Sequence, residues 1–290
     1  MSERPVRPLS VWPTGQREPV EQLDDAGCAS GTEADTERIP PALAAHAIAS
    51  YTTLGDLVLD PNCGAGTVLM EALRAGRHAL GLTTESNWWT LARANVTAAK
   101  SAGAWSDGSV LDARPRTLAT VRAAGLVGRV GLVLTALRTG SDYETGLTHD
   151  VVESAVAEIA MMMLCCEPLL RSGGRVVVVA RPRRHSDGSA VDLTTRLLAA
   201  GSAAGLILVE RCIALSAELR GGRLVPRASF AERWSAARAS VGGTPAALVA
   251  HDEVLVFQPA HEAALASGLH VPSFRRVQRT FAGGRHDFAA

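Results

Sequence analysis

The sequence has no net charge, few aromatic side chains and no apolar stretch long enough to cross a membrane. Its 29 Lys and Arg balance 29 Asp and Glu, and Phe, Trp and Tyr make up 4% of the 290 residues. Without net charge there is no long-range attraction for a polyanion, so a nucleic-acid contact would need a local basic patch. The most apolar segment, residues 159–170, is much shorter than the roughly 20 residues that span a bilayer, and we expect no membrane partner.

Cysteine is present, but not in a pattern that a disulfide framework or a metal site uses. The five cysteines are Cys28, Cys63, Cys165, Cys166 and Cys212. They lack ligand spacing, and the first residues do not read as a signal peptide, so we expect a reducing cytoplasm and no metal. The apolar content of 47% predicts a sizeable core. Abundant Ala, Arg and Gly with few Lys is typical of a GC-rich bacterial genome.

A glycine turn joins a short apolar strand to a helix. Residues 57–59 are Leu-Val-Leu, Asp60 ends the strand, and Gly64 and Gly66 lie in the turn. Glycines let a ligand approach the backbone closely, and the helix that follows points free N–H groups outward. A dinucleotide fingerprint would need a third glycine where Leu69 stands, so the turn predicts a nucleotide-like cofactor other than NAD.

The segment 55–67, Gly-Asp-Leu-Val-Leu-Asp-Pro-Asn-Cys-Gly-Ala-Gly-Thr, resembles the S-adenosylmethionine motif of the DNA amino-methyltransferases. Those enzymes methylate the exocyclic nitrogen of cytosine (N4) or adenine (N6), and the resemblance extends more weakly over residues 36–260. It implies S-adenosylmethionine as the cofactor and a seven-stranded, Rossmann-like methyltransferase domain. Position by position, it implies cofactor contacts from Asp60, Pro61, Cys63, Gly64, Gly66, Thr67, Glu85 and Asp112.

The last two of these residues follow later strands. The family's ribose-binding acid aligns with Thr83, and Glu85 is the candidate that replaces it, since a carboxylate can accept hydrogen bonds from two hydroxyls. Asp112 stands where the family has a carboxylate that meets the adenine amine. Residues 36–41 stand where the family has a segment that packs over the methionine part of the cofactor. An ordinary capping helix is the alternative for that segment.

Strands and helices alternate along the chain. The predicted strands are residues 57–59, 78–82, 109–113, 130–135, 175–181, 206–215 and 251–257. Their apolar runs are typical of parallel strands buried on both faces, and the last two predict an antiparallel edge. We therefore predict an α/β fold with a doubly wound, mostly parallel sheet in one domain, residues 36–260. Residues 1–35 lack periodicity and predict a flexible arm, and residues 261–290 a C-terminal tail.

The end of the fourth predicted strand departs from the family pattern. The family has Ser or Asp, two prolines and an aromatic residue there, followed by a loop that receives the target base. This chain has Ala136, Leu137, Arg138 and Thr139. An exocyclic amine needs an acceptor for its N–H groups, whereas Arg138 brings donors and a positive charge that opposes the charge developing on the amine. Asp142 and Tyr143 are weak replacements a few residues later.

Arginine-rich segments are the candidate DNA contacts. Arg181, Arg183 and Arg184 lie at the carboxyl end of the fifth strand, at the edge where open parallel sheets place their sites. Residues 216–250 carry further arginines together with Phe230 and Trp234 and predict a basic flap over the site. The alternative for the first segment is a solvated charged loop, and the alternative for residues 216–250 is a linker with one short helix.

Three functions stay open at this stage. The first is a bacterial methyltransferase that resembles the DNA amino-methyltransferases, with impaired or redirected methyl transfer. The second is a catalytically inactive, methyltransferase-like binding or scaffolding protein. The third is a methyltransferase acting on RNA, protein or a small molecule. A methylated product would separate the first and third from the second, and the oligomeric state is not indicated.

Overall fold

The computed structural model describes residues 9–118, 125–140, 146–228, 230–241 and 247–262. The strands are β1 (Val11–Trp12), β2 (Leu57–Asp60), β3 (His78–Thr83), β4 (Gly108–Asp112), β5 (Val130–Ala136), β6 (Leu170–Ala180), β7 (Leu206–Leu215), β8 (Glu218–Arg220), β9 (Arg223–Val225) and β10 (His251–Pro259). The helices are α1 (Pro19–Ala26), α2 (Pro41–Tyr51), α3 (Thr67–Arg74), α4 (Ser86–Ser101), α5 (Pro115–Leu118), α6 (His149–Cys166), α7 (Leu193–Ala203) and α8 (Phe230–Val241). Among these described helices, none has both the length and the apolarity to cross a bilayer.

The main sheet has the strand order β1-β7-β10-β6-β5-β2-β3-β4. All pairs are parallel except those of β10, which runs antiparallel to both β6 and β7. The predicted α/β fold with a mostly parallel sheet is therefore confirmed. It has eight strands rather than seven because β1 adds to β7, and the antiparallel strand lies inside the sheet, between β6 and β7, rather than at its edge.

Alternation of side chains along the strands gives the sheet two apolar faces. On β6, Val176 and Val178 belong to one core cluster, which includes residues of α6 and α7. Val177 and Val179 belong to the other, which includes residues of α2, α3 and α4. The valine run is apolar throughout because helices cover both faces of a parallel sheet.

The first part of the chain packs against this sheet. Trp12 is 1% exposed, and its ring lies 4.4 Å from the ring of His46 on α2. The two residues of β1 pair in parallel with β7. The flexible arm predicted for residues 1–35 is therefore wrong for residues 9–35. One buried tryptophan and a short strand pairing hold a segment whose composition alone indicated no order. The predicted tail lies outside the described residues from position 263 onward.

Candidate functional site

A cavity of about 530 Å³ opens at the carboxyl ends of β2, β3 and β5. Its walls come from the glycine turn after β2, from the end of β3 and the start of α4, from the residues after β5, from α6 and from the segment before α2. This is the edge at which open parallel sheets bind ligands, and the volume is in the range of small-molecule sites. We call it the first cavity.

The glycine turn forms the floor of the first cavity. Gly64 and Gly66 both have positive φ, +48° and +84°, which is strained for residues with a side chain. A Cβ atom at Gly64 would lie 2.1 Å from Oδ2 of Asp35 and 2.3 Å from a guanidinium nitrogen of Arg138. Glycine is needed at this position for both its dihedral angle and its small size.

Asp60 lies beneath the turn and is 4% exposed. Its Oδ1 accepts a hydrogen bond from the backbone N–H of Asn62 at 3.1 Å. Burial raises the pKa of Asp60 to about 7, although the nearby charge of Arg138 works in the opposite direction. The carboxyl group therefore changes charge within the physiological pH range.

We expect Asp60→Asn to change the pH dependence of stability. A carboxyl group whose pKa is raised in the folded state favours folding at low pH, and this contribution is lost as pH rises from its unfolded value towards about 7. The amide oxygen of asparagine can keep the bond to Asn62 without titrating. Urea unfolding from pH 4 to 8 should show the wild type losing on the order of 2–4 kcal/mol relative to Asp60→Asn. Parallel pH profiles would contradict this.

The residues after β5 are held by two carboxylates from the segment that precedes α2. Asp35, 2% exposed, accepts hydrogen bonds from both terminal nitrogens of Arg138, at 2.8 and 2.9 Å. It also accepts one from the backbone N–H of Ala65 at 2.9 Å. Burial by itself would raise the pKa of Asp35, but its hydrogen bonds and its attraction to Arg138 outweigh burial and hold that pKa below the usual range.

Glu37 is the second of these carboxylates, and we call Asp35 and Glu37 together the clamp. Its carboxylate accepts hydrogen bonds from the backbone N–H of Thr139 at 2.6 Å, the Thr139 hydroxyl at 2.8 Å and the backbone N–H of Gly140 at 3.1 Å. The start of the loop after β5, where the resembled family receives its target base, is thus tied to the segment before α2. The position of the family's Ser or Asp acceptor holds Ala136, and two residues later Arg138 is a cation already paired inside the protein.

The structure brings only some of the predicted site residues to the first cavity. Gly64, Glu85, Arg138 and Thr139 line it, whereas Ala136 and Leu137 line a second cavity described below. Asp112 is exposed at the end of β4 and does not line either cavity. The weak candidates Asp142 and Tyr143 lie outside the described residues. The remaining predicted residues are buried and do not line the first cavity: Asp60, Pro61, Cys63, Gly66 and Thr67.

These buried residues support the glycine turn on the side that faces away from the first cavity. Thr67, for example, donates its hydroxyl to the backbone oxygen of Ile39 at 2.9 Å and so joins the start of α3 to the segment before α2. Sequence reasoning missed Asp35 and placed Glu37 only within a segment covering the cofactor. The available signal was this acidic segment in front of Pro40 and Pro41. Its partner Arg138 lies 103 positions away, and no local pattern reports such a pair.

The arginines proposed as DNA contacts are engaged within the chain. Arg183 is 8% exposed, and this burial removes it from the candidate surface contacts. Arg181 pairs with Glu232 at 3.3 Å, and Arg184 donates to the backbone oxygen of Gly188 at 2.9 Å. In the segment 216–250, the described part forms the β8–β9 hairpin and α8 rather than a plain linker.

The basic residues of that segment are also partly neutralised. Arg227, whose side chain is 12% exposed, donates to the backbone oxygens of Gly15 and Gln16 and pairs with Glu18. Arg220 pairs with Glu218 at 2.8 Å on the hairpin. The described part of the segment is therefore held to the N-terminal residues, and it presents less free positive charge than its composition suggests.

Comparison with known proteins gives one family. Residues 1–93 match the family model described as DNA methylase. These residues include the glycine turn, so the predicted resemblance to the DNA amino-methyltransferases is confirmed for this part of the chain. No curated protein matches the sequence.

Solved methyltransferase structures are similar to this chain at low identity. TrmN from Thermus thermophilus is 17% identical with a TM-score of 0.48, and the alignment covers 84% of this chain but only 54% of TrmN. A TehB-like SAM-dependent methyltransferase from Corynebacterium glutamicum is 15% identical, covering 83% and 94% of the two chains, with a TM-score of 0.43. Magnesium protoporphyrin IX methyltransferase from Synechocystis, with bound SAM, is 14% identical, covering 75% and 76%, also with a TM-score of 0.43.

Proposed function

We propose that this protein binds S-adenosylmethionine in the first cavity and does not methylate nucleobases by the route of the DNA amino-methyltransferases. The family match over residues 1–93 and the glycine turn on the cavity floor support the first half. The residues at the end of β5 carry the second half, because Ala136 stands where the family has its Ser or Asp acceptor, and the nearby Arg138 is held in an ion pair with Asp35. Methyl transfer, if retained, is redirected to another acceptor.

The lining of the first cavity suits this cofactor. Glu85, immediately before α4, offers a carboxylate for the ribose hydroxyls, and Trp88, on the first turn of α4, offers a ring against which adenine can pack. Glu37 and Glu158 add negative charge to the lining, which favours a sulfonium cation. The same charges oppose the phosphate backbone of a nucleic acid, which argues against DNA at this rim.

The residues after β5 cannot perform the family's chemistry. The cofactor supplies an electrophilic methyl group, and attack by an exocyclic amine requires acceptors for the amine N–H groups. Ala136 and Leu137 have apolar side chains, and Arg138 has only donors, already bound to Asp35. Because Glu37 also holds Thr139 and Gly140, the start of this loop is tied to the segment before α2.

The test is calorimetric titration with S-adenosylmethionine and with its demethylated product, S-adenosylhomocysteine, followed by incubation of duplex DNA with methyl-labelled cofactor. We expect binding of both compounds and no N4-methylcytosine or N6-methyladenine. Binding without any methylated product in cell extracts would favour the inactive, cofactor-binding protein. Failure to bind either compound would contradict the proposal, and so would methylated DNA.

We also propose that the protein works in the reducing cytoplasm. Its five described cysteines are all free thiols, which is compatible with that compartment.

Two carboxylates, one in the lining of the first cavity and one outside it, provide a matched pair of variants. We expect Glu85→Gln to weaken S-adenosylmethionine binding by about tenfold or more, because a hydrogen bond to a charged group is worth roughly 1.5–3 kcal/mol. Asp107→Asn makes the same chemical change on an exposed residue that precedes β4 and does not line the cavity. Calorimetry should find its affinity unchanged. Equal losses in both variants would contradict the role of Glu85.

A further inference from the structure

A second cavity, of about 140 Å³, lies at the same edge of the sheet. It opens over the carboxyl ends of β5, β6 and β7, next to the first residues of β10. Because β10 runs antiparallel to its neighbours, Asp252 near its start reaches the edge where the parallel strands end. This arrangement depends on the insertion of β10 between β6 and β7.

The two cavities share a wall. Thr36 and Glu37 line both of them. Two consecutive residues after β5 face different cavities: Leu137 lines the second cavity and Arg138 lines the first. A ligand in each cavity would therefore lie against the same two residues, on either side of the end of β5.

The second cavity combines apolar walls with charged side chains, which are Arg38, Arg181, Arg227, Glu37 and Asp252. Ile39, Pro41, Leu137 and Val179 supply apolar surface. Among the described residues, no donor makes a hydrogen bond to the Asp252 carboxylate. Burial raises the pKa of Asp252, with the charge of Arg181 acting in the opposite direction, so the group is a stronger proton acceptor than an exposed aspartate.

The volume limits what can bind. An apolar cavity of about 150 Å³ in an engineered protein takes up benzene, so 140 Å³ corresponds to about one six-membered ring. An extruded base still attached to its sugar and phosphate is larger than this.

We propose that the second cavity binds a small, single-ring hydroxyl compound of the phenol class as the methyl acceptor, with its hydroxyl hydrogen-bonded to Asp252. This rests on the proposed function, because it places the acceptor beside the cofactor cavity. With S-adenosylmethionine held in the first cavity, the cofactor would supply an electrophilic methyl group: the ligand oxygen would bond to the methyl carbon, the carbon–sulfur bond would break with its electrons kept by sulfur, and Asp252 would accept the hydroxyl proton.

The experiment is titration of the full chain with phenol, and with toluene as the same ring without a hydroxyl, followed by ligand-observed NMR. S-adenosylhomocysteine binding is measured by calorimetry on the same samples. The variants are Asp252→Asn, which keeps the shape of the side chain, and Asp107→Asn, which makes the same change at an exposed residue before β4 that lines neither cavity. Thermal melting checks that both are folded.

We expect phenol to bind the wild type and Asp107→Asn equally and Asp252→Asn about tenfold or more weakly, since a hydrogen bond to a charged acceptor is replaced by a weaker one to a neutral amide oxygen. Toluene should not distinguish the three proteins. Equal phenol binding to wild type and Asp252→Asn overturns the proposal, and so does absence of phenol binding to a wild type that binds S-adenosylhomocysteine. Asp252-dependent phenol binding without S-adenosylhomocysteine binding would instead remove the proposed cofactor and leave the second cavity as a ligand site.

Discussion

Replacing Gly64 by valine is expected to abolish S-adenosylmethionine binding and to lower the free energy of unfolding by about 3–5 kcal/mol, the cost of disrupting a buried ion pair. The new Cβ would lie 2.1 Å from Asp35 and 2.3 Å from Arg138. Asp35 cannot withdraw, because it is 2% exposed and is also bound to the N–H of Ala65. Calorimetry and urea unfolding measure the two effects.

Gly103 provides the control for backbone strain alone. It has φ of +100°, and a Cβ there would meet no atom within 4 Å. Gly103→Val should therefore cost about 1–2 kcal/mol, the penalty for a side chain in a left-handed conformation, and leave cofactor affinity unchanged. If Gly64→Val lost no more stability than Gly103→Val and still bound the cofactor, the close packing of the turn against Asp35 and Arg138 would be wrong.

Arg138→Met is expected to destabilise the protein by about 3–5 kcal/mol at pH 7, because it leaves the carboxylate of Asp35 buried without its cation. Adding Asp35→Asn removes that charge, so the double variant should recover part of the loss. Urea unfolding of the wild type, both single variants and the double variant gives the coupling energy between the two residues. Additive losses would contradict a direct interaction between the two side chains.

The same pair predicts a dependence on pH. The pKa of Asp35 is lowered in the folded protein, with Arg138 as the partner that outweighs burial. Its stabilising contribution is therefore present above the unfolded pKa of about 4 and is lost as pH falls through the lower folded value. The difference in stability between wild type and Arg138→Met should shrink in acid. A difference that stays constant from pH 7 down to pH 3 would place the effect elsewhere.

Sequence patterns predicted the parts of this protein that depend on neighbouring residues. Seven strands and the helices between them follow from apolar periodicity, because residues 57–59 and the valine run of β6 are buried on both faces of the sheet. The glycine turn was predicted from Gly64 and Gly66, and both have the positive φ that makes glycine necessary. Glu85 was predicted as a replacement acid, and it lines the first cavity.

Other features depend on residues far apart in the chain. Trp12 gave no sign of being buried, because its pocket is built from α2 and β7 rather than from its own segment. Asp112 follows a strand as the resemblance expected, yet its side chain is exposed because β4 is the last strand of the sheet. The clamp of Asp35 and Glu37 on residues 138–140 joins positions just over 100 residues apart.

By itself, the sequence determined the fold class, the position of the glycine turn and the absence of the family's acceptor motif after β5, because each of these follows from a local pattern of adjacent residues. Only the tertiary structure decided what replaced that motif. The topology of the sheet places Asp35 against Arg138 and inserts β10 so that Asp252 reaches the binding edge. Such contacts depend on the order of strands in the sheet and on which charges become buried. Neither can be predicted from adjacent residues in the sequence.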